Sequence, residues 1–274
     1  MVTTSHIAPH HILSAYVECY SLKEFDTDGF DLKRPWHASY HTSIAFFFRD
    51  TPIQFCDSKY GKITSLRNRI HIVGLCSEYK GEITFSGAYS YFEITLKPTG
   101  WHEIFRIPDA EIRNHIINGR DLLNFELQLL YERLCTAKDI AEMGLLADGF
   151  LLQYLFRNNE AGRCKNLSKI IETMFINKTD LNHFTYQVDM SNRNLERLFI
   201  AKLGVSPKHF ICIVRFNLAL CYKKQNPTTD WTSIATEYGY FDQMHMIREF
   251  KHLSGNTPSH LIKIPLIMEK KREL

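Results

Sequence analysis

The chain states one pattern twice, 51 residues apart: Ser191, Leu195, Arg197, Phe199, Gly204, Ser206, Pro207 and Phe210 recur as Asp242, Met246, Arg248, Phe250, Gly255, Thr257, Pro258 and Leu261. Every interval is kept. Each copy opens on a helix N-cap residue type, sets apolar residues four and eight positions further on, turns an Arg to the other side, and stops at a Gly before a Ser/Thr-Pro restart. Such a duplication predicts two short helices of matched design, each offering one outward Arg. A pair of reading elements fits that arrangement better than a single catalytic centre does.

Around each copy the chain predicts a helix-turn-helix. Trp231 to Tyr238 reads as a helix closed by Gly239, whose missing Cβ permits the left-handed turn, and Asp242 caps the next helix. With Ile234, Tyr240, Met246 and Phe250 turned inward, Gln243, Met244, His245, Ile247 and Arg248 are left on the open face. In the first unit Asp180 caps a helix from Leu181 to Val188, with Thr185 where the second unit has the smaller Ala235. Ser191 then caps a helix to Leu203, with Leu195, Leu198 and Phe199 inside and Asn192, Arg193, Glu196 and Arg197 outside. Pro207 starts the connecting helix, which runs to about Gln225 with a stripe of Phe210, Val214, Leu218 and Cys221. At 1.5 Å per residue it spans roughly 28 Å, close to a DNA turn of about 34 Å. Two probes on such a strut would enter successive major grooves of double-stranded DNA. Arg197 and Arg248 suit bidentate bonding to guanine, Gln243 pairs with adenine and Met244 with a thymine methyl.

The rest of the chain has a different texture. Thr42 to Phe48, Ile53 to Cys56, Ile70 to Val73 and Tyr89 to Leu96 are short, aromatic and β-branched, and turn formers separate them. After Pro98, the spacing of Leu122, Leu123, Leu127, Leu130 and Leu134, and then of Ile140, Met143, Leu146, Phe150 and Tyr154, predicts amphipathic helices. A polar run ending at Asn166 reads as a linker, and Leu167, Ile170, Ile171, Met174 and Phe175 form the first apolar stripe beyond it. The expected fold class is therefore α+β in two domains. A small β-rich barrel or sandwich followed by helices fills 1–157, a linker 158–166, an all-α domain with two helix-turn-helix units 167–264, and a tail 265–274.

Charge follows the same division. From Cys164 onward 16 Lys/Arg stand against 10 Asp/Glu, whereas the first 163 residues carry 17 against 20, so the net +3 conceals a basic C-terminal half. That excess suits phosphate contact without establishing it. The seven cysteines are odd in number and include no Cys-x-x-Cys pair, which predicts reduced thiols. No apolar run is long enough to span a bilayer, and Met1-Val-Thr-Thr-Ser-His lacks the basic and apolar regions of a secretory signal, so the expectation is a cytoplasmic protein with no membrane partner.

The residues Ser191-x-Arg-x-Leu-x-Arg-x-Phe, Gly204-x-Ser-Pro, Arg215-Phe-x-x-Ala219, Ile234-Ala, Gly239-Tyr, Asp242, His245, Arg248-x-Phe-Lys and Gly255-x-Thr-Pro together resemble the DNA-binding domain of AraC/XylS-type transcription regulators. The resemblance spans about 100 residues and implies a seven-helix domain. By position, its base contacts fall on Asn192, Arg193, Glu196 and Arg197, and on Gln243, Met244, His245 and Arg248. Met244-His245-Met246 replaces the family's usual Ser-His-Phe, and Thr185 its usual Ala. Tyr16-Val-Glu-x-Tyr20, Val73-Gly74 and the run from Phe92 to Pro108 resemble, more loosely, the sensing or dimerising module found ahead of such domains.

The expectation is a sequence-specific DNA-binding transcription regulator and no enzyme. Beyond DNA, the partners to consider are a small-molecule effector at an unknown site, a second copy of the chain as a homodimer, and RNA polymerase; no cofactor is implied. The alternative is a metal-dependent enzyme domain tethered to the reader. It rests on His37 and His41, which share a strand face but lack the third ligand a zinc site needs. Trp36, Tyr40 and Phe46 to Phe48 read as core rather than as a pocket lining, and the Leu-rich helices between 121 and 156 as cover for the sheet, with one face open to a dimer.

Overall fold

In the computed structural model, residues 3–52, 54–157, 167, 170–172, 174–175 and 191–264 are described. The expected linker at 158–166, the helix from Leu181 to Val188 with Thr185, and the tail at 265–274 lie outside them.

Among the described residues, ten strands build the first half: β1 (Thr3–Ile7), β2 (Val17–Asp26), β3 (Leu32–Trp36), β4 (Thr42–Phe47), β5 (Gln54–Asp57), β6 (Ile63–Ser65), β7 (Ile70–Val73), β8 (Gly81–Phe85), β9 (Ala88–Leu96) and β10 (Ile116–Asn118). They form a six-stranded antiparallel sheet, ordered β1-β2-β9-β4-β7-β10, and a four-stranded one, β3-β8-β5-β6. Because side chains alternate along a strand, the larger sheet has two unlike faces. Tyr20, Ile44, Phe46, Ile70, Ile72, Phe92 and Ile94 point to the helices α1 (Gly100–Phe105), α3 (Gly119–Thr136) and α4 (Ile140–Arg157), and with Trp101, Leu127, Leu134, Ala147 and Leu151 they make the main core. The other face carries Phe25, Ala45, Phe47, Tyr89 and Tyr91 against Leu32 and Phe85 of the smaller sheet. Asp148 of α4 accepts from the Tyr20 hydroxyl at 2.7 Å and from the His10 N–H at 2.9 Å, pinning that helix to the strands.

A short helix α2 (Asp109–Ile112) follows α1, and in the second half come α5 (Asn192–Leu203), α6 (Pro207–Gln225), α7 (Trp231–Glu237), α8 (Gln243–Ser254) and α9 (Pro258–Leu261). Their core joins Leu195, Phe199, Phe210, Phe216, Ile234, Met246 and Phe250 to Leu167, Ile170, Ile171 and Met174. α6 sinks deeper than its expected stripe: Ile213, Phe216, Ala219 and Leu220 are buried beside Phe210 and Val214, whereas Cys221 is exposed. A helix enclosed by α5, α7, α8 and the first half buries more than one stripe, which a single 3.6-residue periodicity does not describe.

The halves interlock. Ala38 and Leu75, both in the β region, belong to the helical core. The Ala38 N–H donates to Leu253 O at 2.7 Å and the Tyr79 N–H to His252 O at 3.2 Å, so the last turn of α8 rests on the first half.

Candidate nucleic-acid interface

Each recognition helix begins on a cap that its sequence supplies. Ser191 Oγ accepts from the Asn194 N–H at 3.3 Å, and Asp242 Oδ1 from the His245 N–H at 2.5 Å, each satisfying a donor that a helix start leaves orphaned. The two helices end alike, on Gly204 at φ 73° and Gly255 at φ 71°, in the left-handed region where a Cβ is costly. α6 between them is capped by Ser206 and has Pro207 in its first turn.

The second turn is built as expected from Ala235, Gly239 and Asp242. Gly239 has φ 69°, and the Tyr240 N–H reaches Ala235 O at 2.9 Å, closing the chain tightly over a buried Ala235. Asp230 caps α7 through the Thr232 and Ser233 N–H groups, both at 2.9 Å. Its bonds from Ser233, side chain first and then backbone, hold that carboxyl below its ordinary range.

One guanidinium fixes this unit to the strut. Arg215 of α6 donates to Gly239 O at 3.0 Å and through Nε to Glu249 Oε1 of α8 at 3.1 Å, with a further close bond from Nη2 to Glu249 Oε2. It also lies 4.3 Å from the Tyr240 ring centroid. Burial opposes the charge on Arg215, but the hydrogen bond and field of Glu249 outweigh it, so its pKa is raised. Turn and recognition helix are thereby tied to the same side chain. In the sequence Arg215 stands within the family-like pattern, but Glu249, 34 residues away, gave no sign of pairing with it.

On α5, Asn192, Arg193, Glu196 and Arg197 are all exposed, opposite buried Leu195 and Phe199. On α8, Gln243, Met244 and Arg248 are exposed opposite Met246 and Phe250. His245 is half-buried: its Nδ1 accepts from the Phe241 N–H at 3.2 Å, and Nε2 lies 3.8 Å from Glu249 Oε2. The sequence reading passed over Phe241. It is 92% exposed at the head of α8, beside the open face, and its position just before the cap was the available signal.

His37, the first member of the proposed metal pair, is turned into the interface between the halves. Its Nδ1 lies 2.9 Å from Ala38 O, its ring packs edge-on to Phe216 at 5.6 Å, and burial pushes its pKa down. Among the described residues no group of three His, Cys, Asp or Glu side chains could hold a metal ion, and no helix is long and apolar enough to cross a membrane. Six cysteines are free thiols, and Cys164 lies outside the described residues. Burial raises the Cys76 thiol to about 12 and the Cys212 thiol to about 11, leaving neither a ready nucleophile. Trp36, Phe46 and Phe47 are core, and Tyr40 packs on Phe175 of the helical half.

A sandwich of two antiparallel sheets joined to a bundle with capped, outward recognition helices defines a class, and comparison with known proteins agrees with it: the chain is similar to AraC-type transcription regulators and carries a helix-turn-helix domain at its C-terminal end. Residues 185–264 match a family described as a helix-turn-helix domain, and residues 5–118 match a domain of unknown function, DUF6597. The Msm operon regulatory protein of Streptococcus mutans is 20% identical, with 88% of this chain and 95% of the relative covered. The uncharacterised HTH-type transcriptional regulator YidL of Escherichia coli is 35% identical over 69 residues, 25% of this chain and 23% of its own. Among solved structures, an apo lysine-to-alanine variant of ToxT from Vibrio cholerae superposes with a TM-score of 0.54 at 12% identity, covering 89% of this chain and 97% of that one. Another ToxT crystal form gives 0.52 at 10% identity over 96% and 98%. At those identities the likeness is one of fold.

Proposed function

We propose that the chain reads two successive major-groove segments on one side of a duplex, the first with Asn192, Arg193, Glu196 and Arg197 of α5 and the second with Gln243, Met244, His245 and Arg248 of α8. The observation that carries the reading is the repeated register: Arg197 and Arg248 occupy matching places on two capped helices, both exposed, with a 19-residue helix between them. Arg248 is assigned a bidentate contact to guanine, and His245 a contact at the edge of the footprint, because its ring is partly engaged at the turn. Selection of bound sites from random duplexes, followed by titration of variants, tests this. Arg248→Ala is expected to lose about 1 to 3 kcal/mol on the selected site and to relax one base position, whereas Lys208→Ala, exposed at the start of α6, weakens all sequences alike and flattens the salt dependence. Equal losses on every sequence for Arg248→Ala would remove the base contact.

The first half is proposed as a sensing and dimerising module. One ToxT structure holds a naphthalenyl-butenoic acid, a precedent for small-molecule binding in a protein of this fold. Phe125 and Leu129 of α3 and Leu145 and Phe156 of α4 are apolar and exposed, which supports a second copy of this chain as a partner. RNA polymerase contact and a cytoplasmic location follow from the regulator's task. A metal-dependent enzyme in the first half has no such support, since His37 is committed to packing between the halves.

A further inference from the structure

Phe241 stands one position ahead of the Asp242 cap of α8 and, at 92%, is the most exposed large apolar side chain among the described residues. An apolar residue at this place ordinarily folds back onto the fourth residue of the helix and fixes the entry of the chain. Here the fourth residue is Met246, which is fully buried, and the chain reaches the core through Tyr240 instead, 5% exposed. Phe241 therefore has no stapling duty. Its backbone is nevertheless held, because its N–H donates to His245 Nδ1 at 3.2 Å while Asp242 Oδ1 accepts from the His245 N–H at 2.5 Å. The ring projects from a fixed base.

The duplicated register carries the same choice in the sequence. In the first copy, 51 residues earlier, the residue ahead of the Ser191 cap is Met190, which lies outside the described residues. A helix that enters the major groove brings its N-terminal residues to the base edges, so a side chain at the head of α8 arrives with them. Beside Phe241 in that leading turn, Met244 is also exposed, which gives the tip of the second reader two apolar side chains. A phenyl ring offers no hydrogen to a phosphate, and the neighbouring Asp242 carboxylate, engaged in the cap, disfavours a second negative charge. Of the groups that bases present in the major groove, the apolar one is the C5-methyl of thymine.

We propose that Phe241 is a specificity residue for thymine, its ring covering the C5-methyl group of a thymine in the segment that α8 reads. The inference rests on the reading of α8 as a major-groove helix and adds a determinant that lies outside the helix itself. Exposure and energy agree with that role. A ring so open in the free protein has nearly all of its apolar area left to remove from water when DNA arrives, and it gives up no internal contact to do so.

The test takes the full-length protein and the site it selects from random duplexes, and replaces each thymine of the α8 segment in turn by deoxyuridine, which deletes the methyl group and leaves the pairing edge intact. At one position the wild type is expected to lose roughly fourfold in affinity, the factor that burying one such carbon group contributes. In Phe241→Ser that penalty should vanish, in Phe241→Leu most of it should remain, and the salt dependence should be the same in all three proteins, since no phosphate contact changes. Equal thermal stability of the variants is expected of so exposed a position and shows that each is folded. Deoxyuridine tolerated at every position, or a penalty undiminished in Phe241→Ser, overturns the assignment. So does an equal loss for Phe241→Ser on thymine and uracil duplexes with a flatter salt dependence, which would make the residue a backbone contact. Unchanged DNA binding with lost transcription also overturns it, and would make Phe241 a docking point for another protein. A selection that enriches no site, or Arg248→Ala losing equally on every sequence, fells the reading of α8 and this inference with it. An enriched site with a base-specific Arg248 and tolerated deoxyuridine removes Phe241 alone.

Discussion

Asp109 shows what a single side chain can impose. It is 1% exposed at the start of α2, accepts from Thr42 Oγ1 at 3.1 Å, and leaves Oδ2 buried without a partner. Burial, only partly offset by the hydrogen bond from Thr42, lifts its carboxyl pKa to about 8. In the unfolded chain the same group titrates near about 4. The folded state therefore holds the proton more tightly, and the contribution is present in full below the unfolded value and lost as pH rises toward about 8. Urea unfolding from pH 5 to 8 should show wild type losing stability relative to Asp109→Asn by on the order of 1 kcal/mol per pH unit. His37, His71 and His102 have lowered pKa values and act in the opposite sense, losing stability as pH falls, so the difference between variant and wild type is the quantity to follow. A constant difference across that range would mean that Asp109 is ionised in the fold. None of this was legible in the sequence, where Asp109 is one more polar residue after Pro108. Arg197 and Arg248, by contrast, were legible, because their outward position follows from helical periodicity alone.

The recognition helices were readable as elements because caps, apolar spacing and terminal glycines are local signals, and the structure places each where those signals put it. β2 and β8 were not. β2, Val-Glu-Cys-Tyr-Ser-Leu-Lys-Glu-Phe-Asp, is buried on both faces and spends its inner positions on Ser21 and on Lys23 paired with Glu93, which breaks the apolar alternation expected of a strand. The terminal glycines have a second duty that only packing reveals. A Cβ on Gly255 would meet the Tyr79 ring at 2.6 Å, and one on Gly204 would meet Arg113 Nε at 2.9 Å, so both helices end against the first half. Gly255→Ala combines a left-handed φ with that clash and is expected to cost at least about 1 kcal/mol. Gly255→Ala with Tyr79→Ala should recover the steric share and leave the backbone share. Absence of any recovery in the double variant would show that Tyr79 does not press on this cap.

At the scale of the molecule, the first half acts as part of the reader's floor. His209 Nε2 lies 2.7 Å from Ser77 O, the Asn217 side-chain amide donates to Ala38 O at 3.1 Å, and Lys202 Nζ reaches His102 Nε2 at 2.6 Å, so α5 and α6 are held by the same body that holds the last turn of α8. The sequence suggested two self-contained domains, since contacts between residues more than a hundred positions apart leave no periodic trace. Leu75 gives the sharpest measure of the coupling. It is fully buried in the helical core although it follows β7. Leu75→Ala should therefore cost about 2 to 5 kcal/mol, as truncation in a packed core does, and the loss should appear in the helical half. Hydrogen exchange of the α6 and α8 amides is expected to quicken in step with that of β4 and β7, because one cooperative unit opens. Faster exchange confined to the strands, with α6 and α8 as protected as in wild type, would show that the two bodies touch without sharing stability, and that a signal bound in the first could not reach the second through this contact.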